Sequence, residues 1–289
     1  MTVTPKFKLS SNLTPPILSL GLGVFDGMHQ GHQEIAKACT ALLTFYPHPD
    51  KVLKKNIGAK ALSTLAELRH YFPHLLVLHF TKDIAKMSPK EFLDSIILTQ
   101  KPKQIVVGYD FKFGSKKTGD IPFLKKWALK NNIKVIEIPP KCLKDKPIKS
   151  SAIRQLLLDN NFEEALQLLG HSYLIIGTVT RGEGRGKKIG FPTANLKVPR
   201  YKQIPESGVY FGNVEIKKKW LPAMIYIGKK GTFGTHPLGI EVHILNFEGN
   251  LYKKRLTIEI HYKIREDMKF LTTSHLIAQI QSDILSIQK

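Results

Sequence analysis

Cysteine is scarce. Cys39 and Cys142 are the only two, and no C-x-x-C spacing occurs, which excludes a disulfide framework or a cysteine zinc site. Eleven histidines are present, yet none falls in an H-E-x-x-H arrangement. No apolar run approaches the roughly 20 residues of a membrane span. The stretch Met1 to Thr14 is polar and lacks the apolar core of a signal peptide, so no membrane association and a reducing, cytoplasmic location are expected. Acidic residues are also few. Against 44 Lys and Arg stand 23 Asp and Glu, a net charge of +21. That balance is either a generally basic, solvated surface or the mark of anionic partners: nucleotides, phosphates or nucleic acid. The basic runs Lys125-Lys126 and Lys217-Lys-Lys219 are short, and no helix-turn-helix, zinc finger or RNP-type motif is found. Nucleic acid is therefore a weak expectation that only the charge keeps open. There is no repeat and no low-complexity tract.

What is present is a change of rhythm along 289 residues, 42% of them hydrophobic, enough for packed cores in one or two domains. Short apolar runs at 17–23, 41–46, 75–80, 104–111 and 134–138 read as strands buried on both faces. Helical patterns lie between them. Ser88-Pro-Lys-Glu91 opens one helix with a capping box, continued by Phe92, Ile96 and Ile97. Asp120 caps another carrying Leu124, Trp127 and Ala128. This alternation predicts a doubly wound α/β parallel sheet, Rossmann-like. A helical pair follows over 151–158 and 162–169, ended by Gly170. Strands then run without helices over 173–180, 208–216, 221–227, 241–247 and 255–262, which predicts a small antiparallel β-barrel of five or six strands. Ser274 is expected to cap a terminal helix with Leu276, Ile280, Ile284 and Ile287 on one stripe. The domain boundary falls near Gly170, giving 1–170 and 171–289.

Two groups of residues carry chemistry in the first domain. Gly23-Val-Phe-Asp-Gly-Met-His29-Gln-Gly-His32 joins the first strand to the first helix, at the edge where such sheets bind ligands. Gly23, Gly27 and Gly31 let backbone N–H groups approach phosphates, with Phe25 and Asp26 in the same loop, and the helix N-terminus adds positive potential. His29 and His32, three residues apart, share one side of the helix and can stabilise charge on a transferring phosphorus. Lys149-Ser150-Ser151-Ala-Ile-Arg154, just before a helix, offers hydroxyls and a guanidinium as a second phosphate clamp. Two loops bear rings able to stack on a flat heterocycle: Phe45, Pro47, His48 and Pro49 after the second strand, stiffened by its prolines, and Asp110 and Phe111 after the fourth.

The second domain holds Gly182-Glu-Gly-Arg185-Gly-Lys-Lys-Ile-Gly190-Phe-Pro-Thr193-Ala-Asn195. Its four glycines and basic residues suit a phosphate loop. In Glu241-Val-His-Ile-Leu-Asn-Phe247, Val242 and Ile244 should face the core, leaving Glu241 and His243 on the accessible face.

The His29/His32 segment followed by the Ser150–Arg154 segment resembles the nucleotidyltransferase superfamily. With Thr44–Pro49, Val107–Gly114, the Pro192-Thr193-Ala-Asn195 motif and the Glu241 strand, the chain resembles bacterial bifunctional riboflavin kinase/FAD synthetases over about residues 17–285. The resemblance implies two activities: phosphorylation of riboflavin to FMN in the barrel, and transfer of AMP from ATP to FMN in the N-terminal domain. ATP and Mg²⁺ would be required. Thr193 and Asn195 would help hold Mg²⁺ with ATP, Glu241 would be the kinase base, and Arg265 would contact nucleotide or flavin. Asp110 and Asp26 stand as alternatives for helping to place Mg²⁺ in the first domain. Oligomeric state is left open.

The sequence also departs from the family pattern. The connection from Gln33 to Leu43 is short and predicts a helix of about two turns. Lys149 stands where Ser is usual, and Ser151 where Thr is. Tyr226 replaces an Asn, Gly231 a Pro, Asn246 an Asp, and Lys253 a Gly. These changes leave two rival readings: one activity alone retained, or a basic nucleic-acid-binding protein on the same scaffold.

Overall fold

A computed structural model describes residues 9–10, 17–54, 58, 60–229 and 238–287. Gly231, one of the departures above, lies outside them. Contacts divide the chain into two compact units, Met1–Ala61 with Leu68–Ser150, and Leu62–Glu67 with Ser151–Lys289.

The first unit contains β1 (Leu9–Ser10), β2 (Ser19–Leu22), α1 (Gln30–Lys37), β3 (Ala41–Tyr46) and α2 (Pro49–Val52). After these come most of α3 (Leu65–Tyr71), then β4 (Leu75–His79), α4 (Lys82–Lys86), α5 (Pro89–Phe92) and β5 (Gln104–Gly108). It ends with α6 (Ile121–Lys130), β6 (Lys134–Ile138), β7 (Cys142–Leu143) and β8 (Lys146–Pro147). The main sheet runs β1-β4-β3-β2-β5-β6. β2 to β6 are mutually parallel, and β1 adds an antiparallel edge that the sequence did not announce. All four residues of β2 and the first four of β3 are buried, which is why these strands read as unbroken apolar runs. Strand order reverses between β2 and β5, so a ligand crevice is expected at their carboxyl ends. β7 and β8 form a small hairpin, also unforeseen.

The expected capping box is present: Ser88 Oγ accepts from Glu91 N–H at 3.2 Å and Glu91 Oε2 accepts from Ser88 N–H at 2.8 Å. The helix it opens is not one continuous α-helix. It widens into a π-turn over Leu93–Ile97 and tightens to a 3-10 turn over Leu98–Gln100. The wider turn lets Phe92, Leu93, Ile96 and Ile97 all reach the core, where each is buried. Asp120 caps α6 through Phe123 N–H at 2.9 Å.

The second unit opens with α7 (Ser150–Leu158, grouped from Ser151) and α8 (Phe162–Leu169), closed by left-handed Gly170. The barrel strands are β9 (Tyr173–Thr180), β10 (Ala194–Lys197), β11 (Gly208–Ile216), β12 (Lys219–Lys229), β13 (Leu238–Ile244) and β14 (Arg255–Arg265), with the single turn α9 (Arg185–Lys188) and the terminal α10 (Thr273–Ile287). They close in the order β10-β13-β12-β11-β14-β9. β10 is too short to show a period and was hidden behind the glycine loop. The cap of α10 is corrected: Thr272 Oγ1, not Ser274, accepts from His275 N–H at 3.2 Å. The apolar stripe of α10 is only half-buried, and its one buried residue is Asp283.

Leu62–Glu67 belongs to this second unit through a buried ion pair. Lys202 and Glu67 are 1% and 0% exposed, 3.0 Å apart. Lys202 Nζ donates to the carbonyls of Leu62 and Leu174 at 2.6 and 2.8 Å. Glu67 accepts from Ile176 N–H at 2.9 Å and Thr64 N–H at 2.7 Å. These bonds satisfy both charges, the condition under which a dry ion pair is tolerated.

Candidate functional sites

In the first unit the β2–α1 loop is held tightly. Thr44, buried in β3, donates from its hydroxyl to the Val24 carbonyl at 2.8 Å, and Gly23 N–H bonds Leu43 at 3.2 Å. Phe25, Gly27 and Met28 all take left-handed conformations (φ 56°, 84° and 45°). For Phe and Met that geometry is costly, and such strain gathers at functional sites. Thr44 positions this loop, and its sequence signal is a hydroxyl inside an otherwise apolar strand.

His29 ends this loop as the N-cap of α1, without using its side chain as a cap, and His32 lies in the first turn. Their rings stack, centroids 3.6 Å apart and 20° between planes, and Phe25 meets His32 edge-on at 5.5 Å. Burial first, and then the His29 charge, hold the His32 pKa well below the usual imidazole value. The His32 residue keeps some exposure, but its Nδ1 is enclosed and has no hydrogen-bond partner among the described residues. The stacked pair lies at the strand-order switch, where ring N–H groups can donate hydrogen bonds to an anion.

Ser150 Oγ donates to the Asp26 carbonyl at 2.8 Å, which brings one residue of the expected clamp to this loop. Ser151, exposed, and Arg154, half-buried, lie in the part of α7 grouped with the second unit. β2, β3 and β5 are parallel, so the Phe45–Pro49 and Asp110–Phe111 loops leave the same sheet edge as the histidine loop. His48 caps α2, its Nδ1 accepting from Asp50 N–H at 3.1 Å, with Pro49 in the first turn. Phe45 is half-buried against Phe80, and Pro47 follows a cis peptide bond. Phe111 stacks on Phe113 at 5.4 Å. Tyr109, Asp110 and Phe111 line an open cleft of about 290 Å³, together with the Lys125–Glu137 ion pair.

In the second unit the glycine loop, β10 and β13 converge. Thr193 Oγ1 donates to Glu241 Oε2 at 3.0 Å, and Asn195 faces Glu241 in register. Asn195 packs so closely on Gly182 that a Cβ there would collide with its amide. Val242 and Ile244 are buried as expected, with Glu241 and His243 half-buried opposite them. His243 Nδ1–H donates to the Pro192 carbonyl at 2.9 Å, beside Thr193. Gly184 and Gly190 are left-handed, φ 69° and 91°, and frame α9. Arg185 is exposed and paired with Glu183 at 2.6 Å. Thr193, Asn195 and Glu241 offer three hard oxygen donors, which fits a cation shared with phosphates. Among the described residues no group of three or more His, Cys, Asp or Glu could hold a metal ion. The Arg265 guanidinium bonds Asp283 at 2.9–3.1 Å. Among the described residues no helix is long and apolar enough to cross a membrane.

The riboflavin kinase family model matches residues 169–289, and the FAD synthetase model residues 14–152. A bifunctional riboflavin kinase/FMN adenylyltransferase of Listeria monocytogenes is 34% identical, covering 91% of this chain and 89% of its own. The Escherichia coli K12 protein of the same description is 30% identical, covering 93% and 91%. A crystal structure described as a macrolide-efflux protein of Streptococcus pneumoniae superposes with TM-score 0.81 at 31% identity, over 96% of this chain and 95% of that one.

Proposed function

This chain belongs to the bifunctional riboflavin kinase/FMN adenylyltransferase family, and on that premise we propose how its residues divide two ATP-dependent reactions. The kinase half is assigned to residues 171–289 and the adenylyl-transfer half to 1–170. In the kinase half, the terminal ribityl hydroxyl of riboflavin attacks the γ-phosphorus of ATP, FMN forms, and ADP leaves. Glu241 accepts the hydroxyl proton. Thr193 and Asn195 would hold Mg²⁺ together with the ATP phosphates. The bound ion would neutralise charge on those phosphates. Gly182, Arg185 and Gly190 belong to the loop that would carry the triphosphate.

In the adenylyl-transfer half, a phosphate oxygen of FMN attacks the α-phosphorus of a second ATP. A new P–O–P bond gives FAD, and pyrophosphate departs. FMN is itself the nucleophile, so no covalent enzyme intermediate is required. His29 and His32 donate hydrogen bonds to the charge that develops at the α-phosphate. The left-handed loop supplies backbone N–H groups to the departing phosphates, and Ser150, through its hydrogen bond to the Asp26 carbonyl, holds that loop in place. Phe45, His48 and Phe111 are the proposed flavin neighbours, with Asp110 or Asp26 helping to place the cation. The cytoplasm is the proposed location.

One observation carries the reading: the two family matches fall separately on the two residue groups, His29/His32 within 14–152 and Thr193/Glu241 within 169–289. Incubation with riboflavin, Mg²⁺ and ATP, followed by chromatography, tests it. FMN and FAD should both accumulate; a protein that makes neither does not have this function.

A further inference from the structure

Arg265, Glu266 and Asp267 leave β14 in succession, and each is held by a different element. Arg265 bonds the carboxylate of Asp283 on α10 at 2.9–3.1 Å. Glu266 accepts from Asn160, in the α7–α8 turn, at 2.8 Å and from Lys263 at 2.6 Å. Asp267 accepts from the Tyr226 hydroxyl, 3.2 Å to each oxygen. Among the described residues this is the last side-chain hydrogen bond to a barrel strand before Thr272 opens α10. The residues that follow Asp267 include Met268 and Leu271, 49% and 95% exposed.

Tyr226 faces Glu241 directly across the β12–β13 ladder. Its ring lies along its own strand over Gly228, where any Cβ would collide with the phenol. Burial first, then the nearby Asp267 and Glu241 carboxylates, push the phenol pKa up to about 12, despite the opposing Arg265 charge. The hydroxyl therefore stays a donor at any working pH.

We propose that Tyr226 is a positioning residue for phosphoryl transfer: its hydroxyl pins Asp267, and with it the 266–271 turn, to the barrel wall that carries Glu241. The surface that receives the flavin alcohol is thereby formed before substrate arrives. This rests on the kinase assignment above. A pre-formed surface acts on substrate binding and leaves the chemical step alone, so the signature is a change in KM with kcat preserved.

The test compares Tyr226→Phe, Asp267→Ala and the double variant in the full chain. KM for riboflavin should rise about five-fold in Tyr226→Phe, the scale of one lost hydrogen bond to a carboxylate at a partly exposed site, with kcat within about two-fold. The double variant should be no worse than Tyr226→Phe, because both changes break one bond. Amide hydrogen exchange over 266–271 should quicken in Tyr226→Phe. The preserved kcat reports that the barrel stays folded, and FAD formation from supplied FMN should not change. An unaltered riboflavin KM in Tyr226→Phe, or penalties that add in the double variant, overturns the positioning role while the kinase assignment stands. Absence of FMN formation by the unmodified protein removes both.

Discussion

Thr193 Oγ1 donates its proton to Glu241 Oε2 across 3.0 Å, linking a loop residue to a strand residue 48 positions away. The bond consumes one lone pair of Glu241 and orients the carboxylate, leaving its other oxygen to meet a substrate hydroxyl. Thr193 is thus both a candidate cation ligand and the group that aims the candidate base.

Glu241→Gln keeps the shape and can still accept from Thr193, but it cannot take a proton near neutral pH. FMN formation should fall about 10²- to 10⁴-fold, the usual worth of general base catalysis. FAD formation from supplied FMN should hold steady. Rapid chromatographic assays of both products check this, and loss of both activities in a folded variant would contradict two independent sites.

His29→Ala combined with His32→Ala should give the opposite pattern. Removing the stacked pair takes away the donors at the α-phosphate, so FAD formation should drop by at least about 10²-fold, while riboflavin is still converted to FMN. A double variant that keeps normal FAD synthesis rules out the histidines as transition-state donors.

The depressed His32 pKa has a consequence for stability against pH. The unfolded chain binds a proton near pH 6.5 that the folded ring resists, so the unfolded state gains protons first as pH falls. Stability is full above the unfolded value and declines below it, by at most about 1.4 kcal/mol per pH unit from this one group. The drop in Tm between about pH 7.5 and 5.5 should be smaller in His32→Gln than in the parent. Equal drops would mean that the ring is protonated in the folded protein.

The buried pair of Lys202 and Glu67 predicts a large stability effect with an asymmetry. Lys202→Met strands the Glu67 carboxylate and should cost about 3–5 kcal/mol. Adding Glu67→Leu to it removes the orphaned charge and should recover part of that loss. Urea profiles of kinase activity measure both, and a single variant as stable as the parent would show that water reaches the pair.

Much of this was legible from local pattern. The strands over 173–180 and 208–216 fall where the period-2 and apolar runs put them, as does the end of α8 at Gly170. The two-turn length of α1 follows from the short connection after His32. The histidine pair and the Thr193–Glu241 group were nameable because their residues sit in contiguous motifs. What escaped depends on partners far along the chain. Asp283 interrupts an apolar stripe and reads as a solvent-side residue, until Arg265 from β14 supplies its counter-charge. Four-residue β10 has no period to detect, and only closure between β13 and β9 makes it a strand. The π-turn at Leu93–Ile97 serves core packing, which propensity does not encode.

Because Glu67 is translated long before Lys202 yet completes the same buried pair, a single cut near Gly170 separates Lys202 from its carboxylate. A fragment starting there would leave an ammonium sealed in the barrel with no carboxylate. On the ribosome, the pair can form only after about 135 more residues have emerged, the separation of Glu67 from Lys202 (202 − 67 = 135). Supplying residues 60–72 as a separate peptide to such a fragment is the direct way to see whether that early piece of chain is what the barrel waits for.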